Sequence, residues 1–233
     1  MISVKTLLRI FILLSIAYLS AVIFNAATVE FYLKPTLLLP LIAAAFISKN
    51  FRNKIVLAVA LVFSWTGDTL LIFVFKDAIY FILGLVAFLI AHIFYIILFA
   101  KELKKANGKI ELRKAVLLLV VIYLIALLMI LIPHLGGLTI PVIIYSVVIS
   151  TMLYMACLLS FHWPKPASIY LLTGAISFIL SDSILAFDKF YEPIPMSGFL
   201  IMATYLYAQG ALVRSCIKWS DRISLQLCWF GKM

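Results

Sequence analysis

Long runs of Leu, Ile, Val, Phe and Ala, separated by short connections, are the feature that most limits what this chain can become. Each run is about as long as the 20 or so residues a helix needs to cross a bilayer. They can be drawn as Leu7–Phe24, Phe31–Ser48, Ile55–Phe75, Ala78–Ala100, Ala115–Ile132, Leu138–Ser160, Ser168–Phe187 and Met196–Ile217. Hydrophobic residues make up 66% of the 233 positions and charged residues only 12%, against about 25% in a soluble domain. Inside a bilayer every backbone polar group must be paired within its own segment or within a closed barrel. Runs of this length and composition therefore predict an all-α, polytopic helical bundle of about eight spans. The reading places one bundle domain over residues 1–218 and a short cytoplasmic tail over 219–233.

Basic residues test the direction of threading. Sixteen of the nineteen Lys and Arg residues fall on one side of an eight-span arrangement, and only Lys34, Lys76 and Lys189 fall on the other. Cytoplasmic connections carry the excess of Lys and Arg, so both termini are expected in the cytoplasm. The net charge of +10 then reflects topology and contact with anionic head groups. No basic stripe interleaved with surface aromatics is present, so nucleic acid is not an expected partner. Cys157, Cys216 and Cys228 form no CxxC pair and no disulfide framework, while Cys216 and Cys228 lie near a membrane end, a position that suits palmitoylation. The first run follows Lys5 and Arg9 without a convincing cleavage site and reads as a span. Trp65, Trp163, Trp219 and the tyrosines at span ends suit an aromatic belt. Asp188, beside Lys189, reads as solvated.

Against this background a few polar residues stand out. Ser64-Trp65-Thr66-Gly67-Asp68, Ala91-His92-Ile93-Phe94-Tyr95 and Ser181-Asp182-Ser183 put two carboxylates and an imidazole inside spans. An ionisable group near the bilayer centre costs about 2.5–3.5 kcal/mol or more, so such a residue reads first as functional. A rise of about 1.5 Å per residue puts both Asp68 and Asp182 about 21 Å from the cytoplasmic end of their spans. Lys34 enters from the outer end, next to Pro35 and ahead of Pro40, which should kink the second span and free carbonyls. Tyr205 and Gln209 share one face of the last span. His92 falls deeper, with Tyr95 one turn further, so that all seven could line one funnel with His92 at its floor. The plainer alternative is structural: an Asp–Lys34 link between spans, a snorkelling lysine, and Tyr205 with Gln209 as helix–helix glue. Polar contacts in membranes average near 0.6 kcal/mol, a poor return for burying two carboxylates.

Several chemistries lack their residues. Three scattered histidines without HExxH give no expected metal site, and no cofactor motif is present: there is no P-loop, no GxGxxG and no nucleophile elbow. An intramembrane aspartyl protease would also use two aspartates, but Gly67-Asp68 lacks the fuller glycine-flanked motif.

At Tyr32-Leu33-Lys34-Pro35, Gly67-Asp68-Thr69-Leu70-Leu71, Ala91-His92-Ile93-Phe94-Tyr95, Ser181-Asp182-Ser183-Ile184-Leu185-Ala186 and Thr204-Tyr205-Leu206-Tyr207-Ala208-Gln209 the chain resembles the YhhN family of multi-span membrane proteins. The five motifs cover positions 32 to 209, in the family's order. The resemblance implies a lysoplasmalogenase, which hydrolyses the vinyl-ether bond of a lysophospholipid to a fatty aldehyde and glycerophosphoethanolamine or glycerophosphocholine. That chemistry needs a protonated carboxyl to protonate the vinyl β-carbon and a second carboxylate to steady the resulting oxocarbenium ion and activate water. Asp68 and Asp182 are the expected pair, either taking either role, with His92 or Tyr95 orienting water. Lys34, Tyr205 and Gln209 would bind substrate. The competing expectation is a small proton-coupled transporter or lipid-binding protein using the same residues as a relay. A third is a scaffold, for which buried charge is unnecessary. Location follows source: the inner membrane of a bacterium or the endoplasmic reticulum of a eukaryote.

Overall fold

A computed structural model describes residues 3–48, 51–104 and 110–230, with side chains described at all of these except 110–112 and 221–230. Lys49, Lys105, Lys109 and Lys232, and the side chains of Arg222 and Cys228, lie outside the described residues. The described elements are helical. They are α1 (Val4–Ile23), α2 (Ala27–Leu33), α3 (Leu39–Ile47), α4 (Lys54–Leu71), α5 (Ile79–Leu103), α6 (Ile110–Leu131), α7 (Thr139–Ser160), α8 (Ala167–Phe190) and α9 (Ser197–Phe230). Eight stretches are long and apolar enough to cross a membrane, with α2 and α3 together forming the second (Ala27–Ile47). The chain is a polytopic helical membrane protein, and eight crossings bring both ends of the bundle to one side. That side is here the lower end; the connections after α1, α4, α6 and α8 lie at the upper end.

Boundaries moved by a few residues, with two physical reasons of interest. The second span starts four residues early and is broken in the middle, where Lys34–Thr36 winds as a 3-10 turn. Pro35 and Pro40 cannot donate backbone N–H bonds, so the α-helical ladder is interrupted there. The interruption is covered from the neighbouring span: Trp65 Nε1 on α4 donates to the Pro35 carbonyl at 2.6 Å. Trp65 is thus a strut inside the bundle and not a member of an interfacial belt. The last helix is longer than expected. At 34 residues α9 is about 51 Å long, and it continues through the region read as a tail. Its apolar part is Ser197–Ser220.

The main core runs through α1, α3, α4, α5, α7, α8 and α9, with Leu41, Leu61, Leu98, Met152, Leu171 and Leu212 fully buried. A smaller cluster at the upper end joins Leu127 and Leu131 of α6 to Val142 of α7 and to Phe187 and Phe190 of α8. In lipid, helices associate through close packing and not through water exclusion, so small residues at crossings matter. Gly174 on α8 meets α9 so closely that an added Cβ would lie 3.1 Å from Ala211 Cβ and 3.2 Å from Leu212. Gly67 on α4 lies under the ring of Phe88 on α5, 2.7 Å from where a Cβ would stand.

At the lower end, Glu102 of α5 accepts from Asn53 Nδ2 at 2.7 Å and from Trp219 Nε1 at 3.2 Å, tying three segments together. Trp219 stacks on the buried Trp163 with ring centroids 5.2 Å apart. Cys216 is fully buried between helices and does not present its thiol to a membrane surface. Asp188 is partly buried and accepts from the Ile194 N–H at 2.8 Å, closing the turn after α8, so it is not simply solvated.

Gly174→Leu should overpack the α8–α9 crossing and cost about 1–3 kcal/mol. A lower thermal midpoint for the detergent-purified variant is the expected result. Gly137→Leu, at a site with nothing within 4 Å of an added Cβ, should leave the midpoint unchanged.

Candidate active site in the upper half of the bundle

A cavity of about 400 Å³ opens among α1, α2, α4, α5, α6, α7, α8 and α9. Its volume lies within the ~300–1,000 Å³ usual for small-molecule sites. Most of its wall is aliphatic or aromatic, including Leu71, Phe81, Phe88, Ile149, Ile179 and Met202. Set into that wall are Lys34, Asp68, Asp182 and Tyr205, together with Tyr18, Glu30, Tyr123, Tyr145, Ser146, Ser181, Ser183 and Lys189.

Each intramembrane aspartate is held by a tyrosine from a different helix. Tyr205 of α9 donates to Asp68 Oδ2 at 2.7 Å. Tyr145 of α7 donates to Asp182 Oδ2 at 2.5 Å. These bonds answer the requirement that a polar group removed from water find a partner. Asp68 is 2% exposed, whereas Asp182 retains about 15% of its side-chain surface. Ser183, next to Asp182, bridges to Tyr123 of α6 at 2.5 Å and also donates to the Ile179 carbonyl. Lys34 stands within electrostatic reach of Asp68 first and of Glu30 second. No Lys34–Asp68 ion pair closer than 4 Å forms among the described residues.

His92 lies behind the cavity wall and is not its floor. It is fully buried, and it does not line the cavity. Its Nδ1 lies 2.7 Å from the Phe88 carbonyl, which can only accept, so Nδ1 carries the proton. Nε2 then points toward Asp182 Oδ2, 3.9 Å away, with no hydrogen-bond partner of its own. Phe178 and Tyr145 pack edge-on against the imidazole at 4.7 Å and 5.5 Å between centroids. The sequence expectation sets His92 deeper than the aspartates, yet its imidazole reaches to within 3.9 Å of Asp182. Tyr95 and Gln209 are placed differently from the funnel arrangement. Both are fully buried beneath the cavity, where Tyr95 Oη donates to Gln209 Oε1 at 2.7 Å, linking α5 to α9 without reaching the wall.

Tyr145 and Tyr18 were not legible in the sequence, because a tyrosine within an apolar span is as readily an interfacial anchor as a polar partner. Glu30 precedes the run starting at Phe31 and Lys189 follows the run ending at Phe187, so neither stands out as an ionisable residue within a span. The usable signal for Lys189 was its spacing: seven residues after Asp182 on one helix puts both on the same face. Among the described residues no group of three or more His, Cys, Asp or Glu side chains is arranged to hold a metal ion.

The sequence pattern of the YhhN family matches residues 29–216. The chain is 32% identical over 160 residues to Lysoplasmalogenase TMEM86B of Mus musculus, covering 68% of this chain and 62% of the relative. It is 33% identical over 168 residues to Lysoplasmalogenase TMEM86A of Bos taurus and of Homo sapiens, covering 69% of this chain and 64% of each relative. The matched part thus spans a little under two-thirds of the length of these relatives. No solved structure matches the chain. With the match running from α2 into α9, and with every polar residue of the cavity wall except Tyr18 inside it, this chain belongs to the YhhN family.

Proposed function

We propose that the protein is a membrane-embedded hydrolase that cleaves the vinyl-ether bond of lysoplasmalogens, releasing a fatty aldehyde and a glycerophosphoethanolamine or glycerophosphocholine. The observation that carries this reading is the meeting of two carboxylates from separate spans at the wall of one largely apolar cavity. Each is fixed through Oδ2 by a tyrosine, which leaves Oδ1 for a bound molecule. The relatives named lysoplasmalogenases support it.

The chemistry follows from those groups. One aspartate, in its acid form, gives a proton to the β-carbon of the vinyl ether, and the double bond's electrons form the new C–H bond. The α-carbon is left as an oxocarbenium ion, stabilised by the other, ionised aspartate. Water adds to that carbon and loses a proton to the ionised carboxylate, giving a hemiacetal. Collapse of the hemiacetal breaks the bond to the glycerol oxygen, which takes the proton that the second aspartate had accepted from water, while the hemiacetal hydroxyl gives its proton back to the first aspartate and becomes the aldehyde carbonyl. Two carboxyl groups sharing acid and base duties around an oxocarbenium-like transition state are the arrangement used by glycosidases. His92, with Nε2 facing Asp182, orients that carboxyl or relays its proton. Lys34 takes the phosphate at the mouth. Tyr95 and Gln209 brace α5 against α9 below the reacting groups.

Positioned general acids and bases contribute about 10²–10⁴-fold each. Aldehyde release from lysoplasmenyl-ethanolamine and lysoplasmenyl-choline by the purified protein should therefore fall at least a hundredfold in Asp68→Asn and in Asp182→Asn. Near-normal turnover by either folded variant, or no release from either lipid by the wild type, would overturn the mechanism or the reading respectively.

The tyrosines allow a finer test. Hydrogen bonds to charged groups are worth about 1.5–3 kcal/mol. Tyr145→Phe and Tyr205→Phe should each lower kcat by about 10- to 100-fold with KM little changed. Tyr95→Phe should lower the thermal midpoint and leave kcat within a few-fold. A Tyr95→Phe variant of normal stability with kcat reduced a hundredfold would move that hydroxyl from the brace into the reaction.

A further inference from the structure

Three carboxylates line the cavity, and the proposed chemistry uses Asp68 and Asp182. Glu30 has no part in it. Glu30 lies on α2 one turn before Lys34, so the two side chains share a face, with Glu30 about 6 Å nearer the upper end. Lys34 in turn lies within electrostatic reach of Asp68. Tyr18, buried in the wall, is likewise in reach of both Glu30 and Asp68. The charges therefore follow one another as carboxylate, ammonium, carboxylate. Lys189, two turns above Asp182 on α8, adds a second cation to the wall, its Nζ 5.2 Å from the centre of the Phe81 ring.

We propose that Glu30 binds the ammonium of a zwitterionic phospho-amine head group and is the residue by which the cavity prefers such lipids over lysolipids ending in a bare phosphate. This rests on the hydrolase reading of the same cavity. A lysolipid with an ethanolamine or choline head carries ammonium, phosphate and sn-1 ether in that order. Setting its ammonium against Glu30 and its phosphate against Lys34, with Lys189 as a second donor, leaves the ether beside Asp68 and Asp182. The two-carbon bridge between phosphate oxygen and nitrogen suits a pair of side chains one helical turn apart. A lysolipid ending in phosphate alone satisfies Lys34 but brings added negative charge beside an unmatched Glu30, which a like-charge contact disfavours.

The test is binding by the full-length protein in detergent, measured calorimetrically with saturated alkyl-ether lysolipids that cannot be cleaved. Three probes are used, with ethanolamine, choline and bare phosphate heads. The wild type should bind the two zwitterionic lipids about tenfold more tightly than the bare phosphate. Glu30→Gln should erase that preference, chiefly by weakening the zwitterionic lipids. Glu30→Lys should reverse it, and a gain of affinity for the bare phosphate cannot come from misfolding. Variants that keep the wild-type order of the three lipids would overturn the role of Glu30, as would a wild type with no preference. Aldehyde release from the vinyl-ether counterparts is scored separately. Release with an unchanged head-group order removes Glu30 and keeps the hydrolase. Selective binding that depends on Glu30, without release, removes the hydrolase and keeps Glu30 as a head-group ligand.

Discussion

Two carboxylates have been taken out of water and into a helical bundle, and much of the upper half of the structure answers that fact. A buried carboxyl without a partner would cost more than a typical membrane helix contact returns. The partners come from other spans: Tyr205 for Asp68 and Tyr145 for Asp182. Each bond therefore does two things at once. It satisfies an oxygen, and it fixes one helix against another, α4 against α9 and α7 against α8. The aromatic residues around them complete the arrangement. Phe88 and Phe178 both pack edge-on against the Tyr205 ring, so the tyrosine that holds Asp68 is itself held. Polar satisfaction and packing are here the same set of contacts.

The break in the second span belongs to the same logic. A continuous helix would carry Lys34 past the cavity on a rigid, regular face. With Pro35 and Pro40 in place the backbone turns through a 3-10 segment, and the carbonyl left over at Pro35 is taken by Trp65, three residues before Asp68 on α4. The segment bearing Lys34 is thereby registered against the segment bearing Asp68. Irregular backbone at membrane depth is tolerated where it faces protein or a cavity, and here it does both.

The span count and the two aspartates were legible in the sequence because each rests on a strong local signal, a run of apolar residues in one case and an ionisable residue within such a run in the other. Proline likewise announces its effect, so the break in span two could be foreseen. What could not be foreseen is rotation. Asp68, His92, Tyr95, Asp182, Tyr205 and Gln209 all lie at plausible depths, but depth does not say which way a helix is turned about its axis. Tyr95 and Gln209 turn toward each other beneath the cavity, and Tyr145 turns into it from a span that carries hydroxyl residues but no charged one. The strut formed by Trp65 is hidden for the same reason, since an indole in an apolar run has no sequence mark separating an interfacial anchor from an internal donor. The length of α9 is not legible because its last turns are mixed in polarity and so carry no apolar run.

Among the described spans α6 is the least buried, giving the cavity only Tyr123 and Leu127 while presenting most of its surface outward. A wall that thin separates a charged mouth from surrounding lipid. Under the proposed reaction the two products would then differ in the medium each enters: the aldehyde dissolves in the acyl chains beyond α6, and the glycerophospho-amine dissolves in water above Lys34 and Glu30. Once parted by phase, they do not meet again at useful concentration. The direction of the reaction would in that case be set by partition between two solvents as much as by the bond chemistry, and a helix with few protein neighbours would be the element that permits it.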